Sequence, residues 1–313
     1  MSSTNTATTP STPGAGAGPQ AGAGTAAAGS SAPPAVGAGG PVSRAIPASG
    51  ADEGRIGLRA NLRHIGALVR RNALQIKQDP ESMFDVLLTP IIFTLLFVYV
   101  FGGSVGASLG GSREDYVNYV VPGLMAMMGM NISMAVGTGV NEDFRKGVMD
   151  RFRTMPIARS SVLIAKIVVE IGRMLVAIAI LLGMGFLLGM EIKTSVLDLG
   201  AAIGLSLAFG ASLMWIFILL GLAMKTAQAV QGVAMLVLMP MQFGSSIFAP
   251  PSTMPGWLQA FTDYNPLSNL ADAARNLING GPVAHSVWMT LGWAAAITVV
   301  TAPLAVAKFR KKS

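Results

Sequence analysis

Beyond the Ala-, Gly- and Pro-rich first 43 residues, six long stretches of this 313-residue chain contain no Asp, Glu, Lys or Arg: Val86 to Ser112, Tyr116 to Asn141, Met174 to Met190, Leu199 to Met224, Thr226 to Thr262 and Asn276 to Ala307. A helix needs about 20 residues to cross roughly 30 Å of hydrocarbon, so each stretch is a candidate span. The pattern predicts an all-α membrane protein with six transmembrane helices. The third stretch is short, but its helix can begin a turn or two earlier, near Ile167. The fifth is too long for one span at 37 residues, and its end, FAPPSTMPGW, is too proline-rich to stay helical. Composition agrees, because charged residues make up 12% of the chain, apolar residues 52%, and mean hydropathy is +0.57. With no Cys, a disulfide-stapled scaffold, a thiol nucleophile and a zinc knuckle are all excluded.

Three regions follow from this pattern. Of residues 1–50, 43 are Ala, Gly, Pro, Ser or Thr, and Arg44 is the single charge, so the stretch cannot bury enough apolar area to order itself. It reads as a disordered cytoplasmic tail without the basic start and apolar run of a signal peptide. Residues 51–80 read as a cytoplasmic interfacial helix, and 81–313 as the six-span domain. If the N-terminus is inside, 19 of the 22 basic residues face the cytoplasm, and only Arg113, Lys193 and Arg275 lie outside. That asymmetry predicts a multi-pass protein of the cell membrane with both termini cytoplasmic. It also accounts for the net charge of +7 without a nucleic-acid partner.

The chemistry that is missing narrows the function. No GxxxxGK[ST] phosphate loop occurs, so the chain does not hydrolyse a nucleotide by that route. The two histidines, His64 and His285, fall on opposite sides of the predicted membrane, which argues against a metal hydrolase. No span carries an ionisable residue at its centre, as an ion-coupled transporter usually does. Lys166, Glu170 and Arg173 share one helix face at the cytoplasmic mouth of span three, either as an interfacial salt-bridged ladder or as a cytoplasmic gate. Gly200, Gly204, Ala208 and Ser212 recur every fourth residue in span four, a spacing that lets helix backbones approach. Met125, Met127, Met128, Met130 and Met134 crowd span two, either as packing or as an adaptable lining for apolar cargo.

Three segments outside the spans carry pattern. Leu58, Leu62, Ile65, Val69, Ala73 and Ile76 fall at helical spacing with Arg59, Arg63, Arg70, Arg71 and Lys77 on other faces, which predicts an amphipathic interfacial helix ending at Asp79-Pro80. Between spans two and three, Asn141 is expected to cap a separate cytoplasmic helix, with Glu142 and Asp143 in its first turn and Glu142 paired to Lys146. Phe144, Val148, Phe152 and Met155 form its apolar edge, and Pro156 stops it. That edge either rests on lipid or is presented to another protein. After span five, Pro255 suits the start of a short helix through Phe261, and Asn265-Pro266 starts a second one that runs to Asn279-Gly280. At about 15 residues this second helix is too short to span. It is expected to be interfacial or re-entrant on the outer side, with Asp272 and Arg275 able to pair along it.

Taken together, these segments resemble the permease subunit of type-2 ABC exporters, in particular the daunorubicin-resistance branch, from about residue 59 to the end. Around span one the likeness lies in Asp79, Pro80, Pro90, Phe93, Phe97 and Phe101 to Gly103. In the cytoplasmic loop it lies in Glu142, Gly147, Asp150, Arg151, Arg153, Pro156, Ile157, Arg159 and Lys166. Outside, it lies in Pro255, Trp257, Asn265, Pro266, Asp272 and Arg275. Ala165 departs from the family, which often has Gly there. The resemblance implies a homodimer of six-span subunits paired with a separate ABC ATPase, which would hold the ATP and Mg, so that this chain is not itself an enzyme and carries no cofactor. It implies export of a hydrophobic drug, natural product or lipid by alternating access. Glu142, Phe144, Gly147, Val148, Phe152, Met155 and Pro156 would then couple to the ATPase, and Lys166, Glu170 and Arg173 are the gate candidates. The alternative reading is an ion-coupled secondary transporter using Glu170 and Arg173.

Overall fold

The computed structural model describes residues 80–109, 111–147 and 159–312. The tail, the interfacial helix expected before Pro80, and Val148, Phe152, Met155 and Pro156 of the loop between spans two and three lie outside the described residues. The described residues form an all-helical bundle within one unit of the chain. Five helices are long and apolar enough to cross a membrane, and a sixth apolar helix is shorter.

Helix α1 (Pro80–Leu109) begins at the Asp79-Pro80 boundary expected from sequence and carries Pro90 inside it. Helix α2 (Arg113–Arg145) starts on a capping box: Ser112 Oγ accepts from the Asp115 amide while the Asp115 carboxylate accepts from the Ser112 amide. At 33 residues, α2 is about 50 Å long and continues past the hydrophobic stretch at both ends. Helix α3 (Arg159–Leu187) stops where Gly189 takes φ 92°, with the Met190 amide turned back to the Gly185 carbonyl at 2.9 Å. Helix α4 (Val196–Ala223) repeats the capping box with Ser195 and Asp198.

The proline-rich stretch after span five is broken as its composition demands. Helix α5 (Ala227–Phe243) has 17 residues and is capped by Thr226 Oγ1, which accepts from the Ala229 amide. A turn and a short 3-10 segment (Pro251–Thr253) lead to α6 (Gly256–Tyr264), α7 (Pro266–Asn279) and α8 (Val283–Lys312).

Helix α2 is the axis of the bundle. It packs against α1, α3, α4, α5 and α7 and is buried along most of its length, whereas α8 keeps most of its apolar surface exposed. Met125, Met127, Met128 and Met130 are all buried, so of the two roles considered for this cluster the structure assigns packing. The close backbone approaches fall elsewhere than the fourfold glycine spacing of α4. Gly200 and Gly204 face open space, while a Cβ on Gly221 would overlap the Gly137 carbonyl and one on Gly137 would meet the Phe217 carbonyl. Farther along the same α2–α4 seam, the Met174 thioether fills the gap between Gly129 and Gly210.

One expectation is corrected here. Asn141 was expected to start a new helix, but α2 runs through it to Arg145. Asn141 is buried, and its Nδ2 is held by the Gly221 and Met224 carbonyls of another helix, which fixes the residue within the bundle as part of α2.

Candidate functional site

The residues singled out in the sequence gather at the two ends of α2. At one end, Asn265 does double duty. Its Oδ1 accepts from the Leu267 amide at 2.9 Å and so caps α7, with Pro266 in the first helical position. Its Nδ2 donates to the Met241 and Gly244 carbonyls at 2.7 and 3.1 Å, satisfying groups that the end of α5 leaves without partners. Pro255 precedes α6, and Trp257 on that helix is exposed.

Helix α7 carries its apolar residues on one face, and these are buried: Leu267, Leu270, Ala271, Ala274, Leu277 and Ile278. It packs into the bundle against α2, α4 and α8. Arg275 projects from it and makes three side-chain hydrogen bonds and a ring contact. Its Nη1 donates to Asp272 Oδ1 at 2.5 Å, its Nε to the Tyr119 carbonyl at 3.1 Å and its Nη2 to the Ser246 carbonyl at 3.0 Å. The guanidinium also lies over the Tyr119 ring, 3.7 Å from its centroid. Ser246 Oγ donates to Asp272 Oδ1 at 2.8 Å, and Tyr119 Oη donates to the Ser246 carbonyl at 2.8 Å. The planar fork of Arg is what allows one side chain to tie α7, α2 and the turn after α5 together. The far end of α7 is held as well, because Thr194 Oγ1 donates to the Leu277 carbonyl at 2.6 Å and Asn279 Nδ2 to the Asn118 carbonyl at 2.7 Å.

The opposite end of α2 is built differently. Asn141 Nδ2 donates to the Gly221 and Met224 carbonyls at 2.9 and 2.8 Å, so it caps the C-terminus of α4. Lys166 on α3 pairs with Asp143 at 2.6 Å. Phe144 meets Phe309 of α8 edge to face, with ring centroids 5.4 Å apart. Lys312 sits over the Phe144 ring at 5.2 Å and donates to the Leu222 carbonyl of α4 at 3.4 Å. Glu142 pairs with Lys146 at 3.1 Å, as its spacing predicted, and Gly147 adopts φ 67° just beyond the helix.

The gate candidates are thereby divided. Glu170 and Arg173 pair with one another at 2.9 Å along α3, both largely buried, whereas Lys166 reaches across to α2. The three side chains do not form one continuous ladder. Sequence reasoning missed Tyr119, Ser246, Asp143, Phe309 and Lys312 as members of these nodes. Phe309 was detectable in principle, as an aromatic residue set among four basic ones at the end of the last span.

Residues 63–279 match the family model described as ABC-2 type transporter. The daunorubicin resistance ABC transporter permease protein DrrB1 of Streptomyces coeruleorubidus is 36% identical over 243 residues, covering 78% of this chain and 84% of that relative. The probable doxorubicin resistance ABC transporter permease protein DrrC of Mycobacterium tuberculosis H37Rv is 27% identical over 243 residues, covering 73% and 82%. The probable multidrug ABC transporter permease YbhR of Escherichia coli K12 is 25% identical over 203 residues, covering 63% and 54%. By the extent of these matches, this multi-pass membrane chain belongs to the ABC-2 type transporter family.

Proposed function

We propose that the chain is the permease subunit of an ATP-driven exporter that moves a hydrophobic drug, natural product or lipid out of the cytoplasm. The observation that carries this reading is the 36% identity, across most of both chains, to a permease named for daunorubicin resistance. The subunit works as a homodimer with a separate ABC ATPase that binds ATP and Mg, and it alternates between inward and outward access. It crosses the cell membrane six times, with both termini cytoplasmic, residues 1–50 as a solvated tail and 51–80 as an interfacial helix. Helix α5 is the sixth crossing. Its 17 residues cover about 25 Å and run from Thr226, beside the Asn141 cap, to the turn that holds Ser246 at the other end of α2.

In this reading the Asn141 end of α2 is cytoplasmic. Glu142, Phe144, Gly147, Val148, Phe152, Met155 and Pro156 meet the ATPase, and Lys166, with the Glu170–Arg173 pair, shapes the inner mouth. The α7 end faces outward, and the motif from Pro255 to Arg275 anchors the outer closure. The 19 to 3 division of basic residues supports this orientation, because each Arg or Lys misplaced at a helix centre costs roughly 2.5 to 3.5 kcal/mol on the insertion scale.

The mechanism is tested by measuring export of a fluorescent anthracycline from cells co-expressing the proposed ABC ATPase partner. Export should vanish when the phosphate-loop lysine of that ATPase is replaced and should persist when the proton gradient is collapsed. The reverse pattern would indicate a secondary transporter. Orientation is tested with single cysteines at Ser252 and Ser3 in a chain that has no native thiol. Ser252→Cys should label from outside intact cells and Ser3→Cys should not. Labelling of Ser3→Cys would invert the topology.

A further inference from the structure

We propose that the last turn of α8 is the strut through which the cytoplasmic loop moves the rest of the bundle, and that Phe309 is its positioning residue. The proposal rests on the coupling role given to residues 142–156 above. Its own ground is the way that loop is rooted. As the chain leaves α2, one side chain after another is handed to a different helix: Asn141 to α4, Asp143 to Lys166 of α3, and Phe144 to α8.

Of these three links, the one to α8 has the form of a bearing surface. Phe309 is 3% exposed and belongs to a core cluster of its own with Val136, Val140, Leu163, Ile218 and Ala305, drawn from α2, α3, α4 and α8. Phe144 packs on the rim of that cluster, and the edge-to-face ring pair resists both sliding and separation. Lys312 closes the contact from outside, since its ammonium lies over the Phe144 ring while donating to the last turn of α4. A push on Phe144 therefore bears on Phe309 before it reaches the rest of the core. The cluster meets the larger core that contains Met125 to Met130 through Ile132 of α2, so a displacement at Phe309 reaches the neighbouring ends of α2, α3 and α4 before it is passed to the centre of the bundle. Sequence treats the terminal KFRKK as basic residues that set topology. The packing adds a mechanical use for the aromatic among them.

The test uses the full permease purified with its ATPase. Phe309→Ala should keep the ATPase bound and hydrolysing ATP while doxorubicin exported per ATP falls roughly tenfold, the scale of one lost aromatic pair. Phe144→Ala, which also belongs to the residues given to the ATPase above, should lose at least as much export per ATP, and with the ATPase saturating the double variant should be no worse than Phe144→Ala alone, because Phe309→Ala then removes a contact already lost. Phe309→Leu, which refills the cavity, should recover most of the ratio. A second route does not depend on the alanine variants folding. In the cysteine-free chain, Phe144→Cys with Phe309→Cys should export poorly until a short bis-methanethiosulfonate reagent bridges the two positions, each thiolate forming a disulfide with release of methanesulfinate, and then recover. Unchanged export per ATP in Phe309→Ala, additive losses in the double variant, or no recovery on bridging would each overturn the strut. Failure of the parent chain to retain any ATPase would instead remove the coupling reading on which it rests.

Discussion

The two ends of α2 are held by opposite strategies. At the α7 end, one largely buried arginine makes three hydrogen bonds and a ring contact, two of the bonds go to backbone carbonyls, and α7 is capped at its start by its own Asn265 and held at its far end by Thr194. At the Asn141 end, three successive helical neighbours are met by three separate side chains, each with one or two contacts. A shared network must break as a unit, because removing any member leaves buried polar groups without partners. Point contacts can be adjusted one at a time. The difference fits an outer end that stays closed until the bundle as a whole moves, and an inner end that receives small displacements from an attached partner.

The largest effect should come from breaking the network. Arg275→Ala removes three charge-assisted hydrogen bonds at once, leaving Asp272 with the Ser246 hydroxyl and the Ser246 carbonyl with the Tyr119 hydroxyl, and should destabilise the protein by about 3 kcal/mol, read as a lower unfolding temperature in detergent. Arg275→Lys should restore little of this, because an ammonium cannot reproduce the fork. Next in size is the α2–α4 seam. Gly221→Ala should cost about 2 kcal/mol by overpacking against the Gly137 carbonyl, whereas Gly204→Ala, with open space beside it, should be near neutral. Equal effects at the two glycines would mean that the seam lies on the other face of α4.

At the Asn141 end, Asn141→Ala should cost about 1 kcal/mol, the typical net value of a lost hydrogen-bonded cap. Lys166→Met should cost about 0.5 kcal/mol in stability, since the pair with Asp143 is only partly shielded from solvent. Both should reduce export far more than their stability cost implies. If instead stability and export fall in proportion at both ends, the contrast between a fixed end and an adjustable one fails.

How much of this was legible beforehand depended on whether the information was local. The charge-free windows located α1, α2, α4 and α8, because a membrane excludes charge residue by residue. The Asn265-Pro266 start, the Gly280 stop and the Asp272–Arg275 pair were also readable, since capping and i,i+3 contacts act within one helix. What failed was non-local. Charge alone ended span two at Asn141, yet α2 continues, because Asp143 finds Lys166 on a helix 23 residues away in sequence. Helix α3 likewise begins at Arg159, earlier than its apolar run, because the charges inside it have partners. The glycine spacing of α4 was visible, but only the position of α2 decides that Gly221 and not Gly204 is the contact. The reach of Arg275 to Tyr119, 156 residues away, has no signature in the sequence.

The central claim is that the loop rooted at the adjustable end is where an ATPase engages. Binding energy at such interfaces concentrates in a few buried anchors, and Phe152, flanked in sequence by Arg151 and Arg153, is the large aromatic among the residues proposed to meet the ATPase. The direct measurement is the affinity of the ATPase for purified Phe152→Ala permease, compared with the parent chain. The variant should remain inserted and dimeric, hold the ATPase roughly thirtyfold more weakly, the scale of one hot-spot residue, and no longer export. An unaltered affinity with normal export would contradict the central claim and return this loop to a surface that merely rests on lipid.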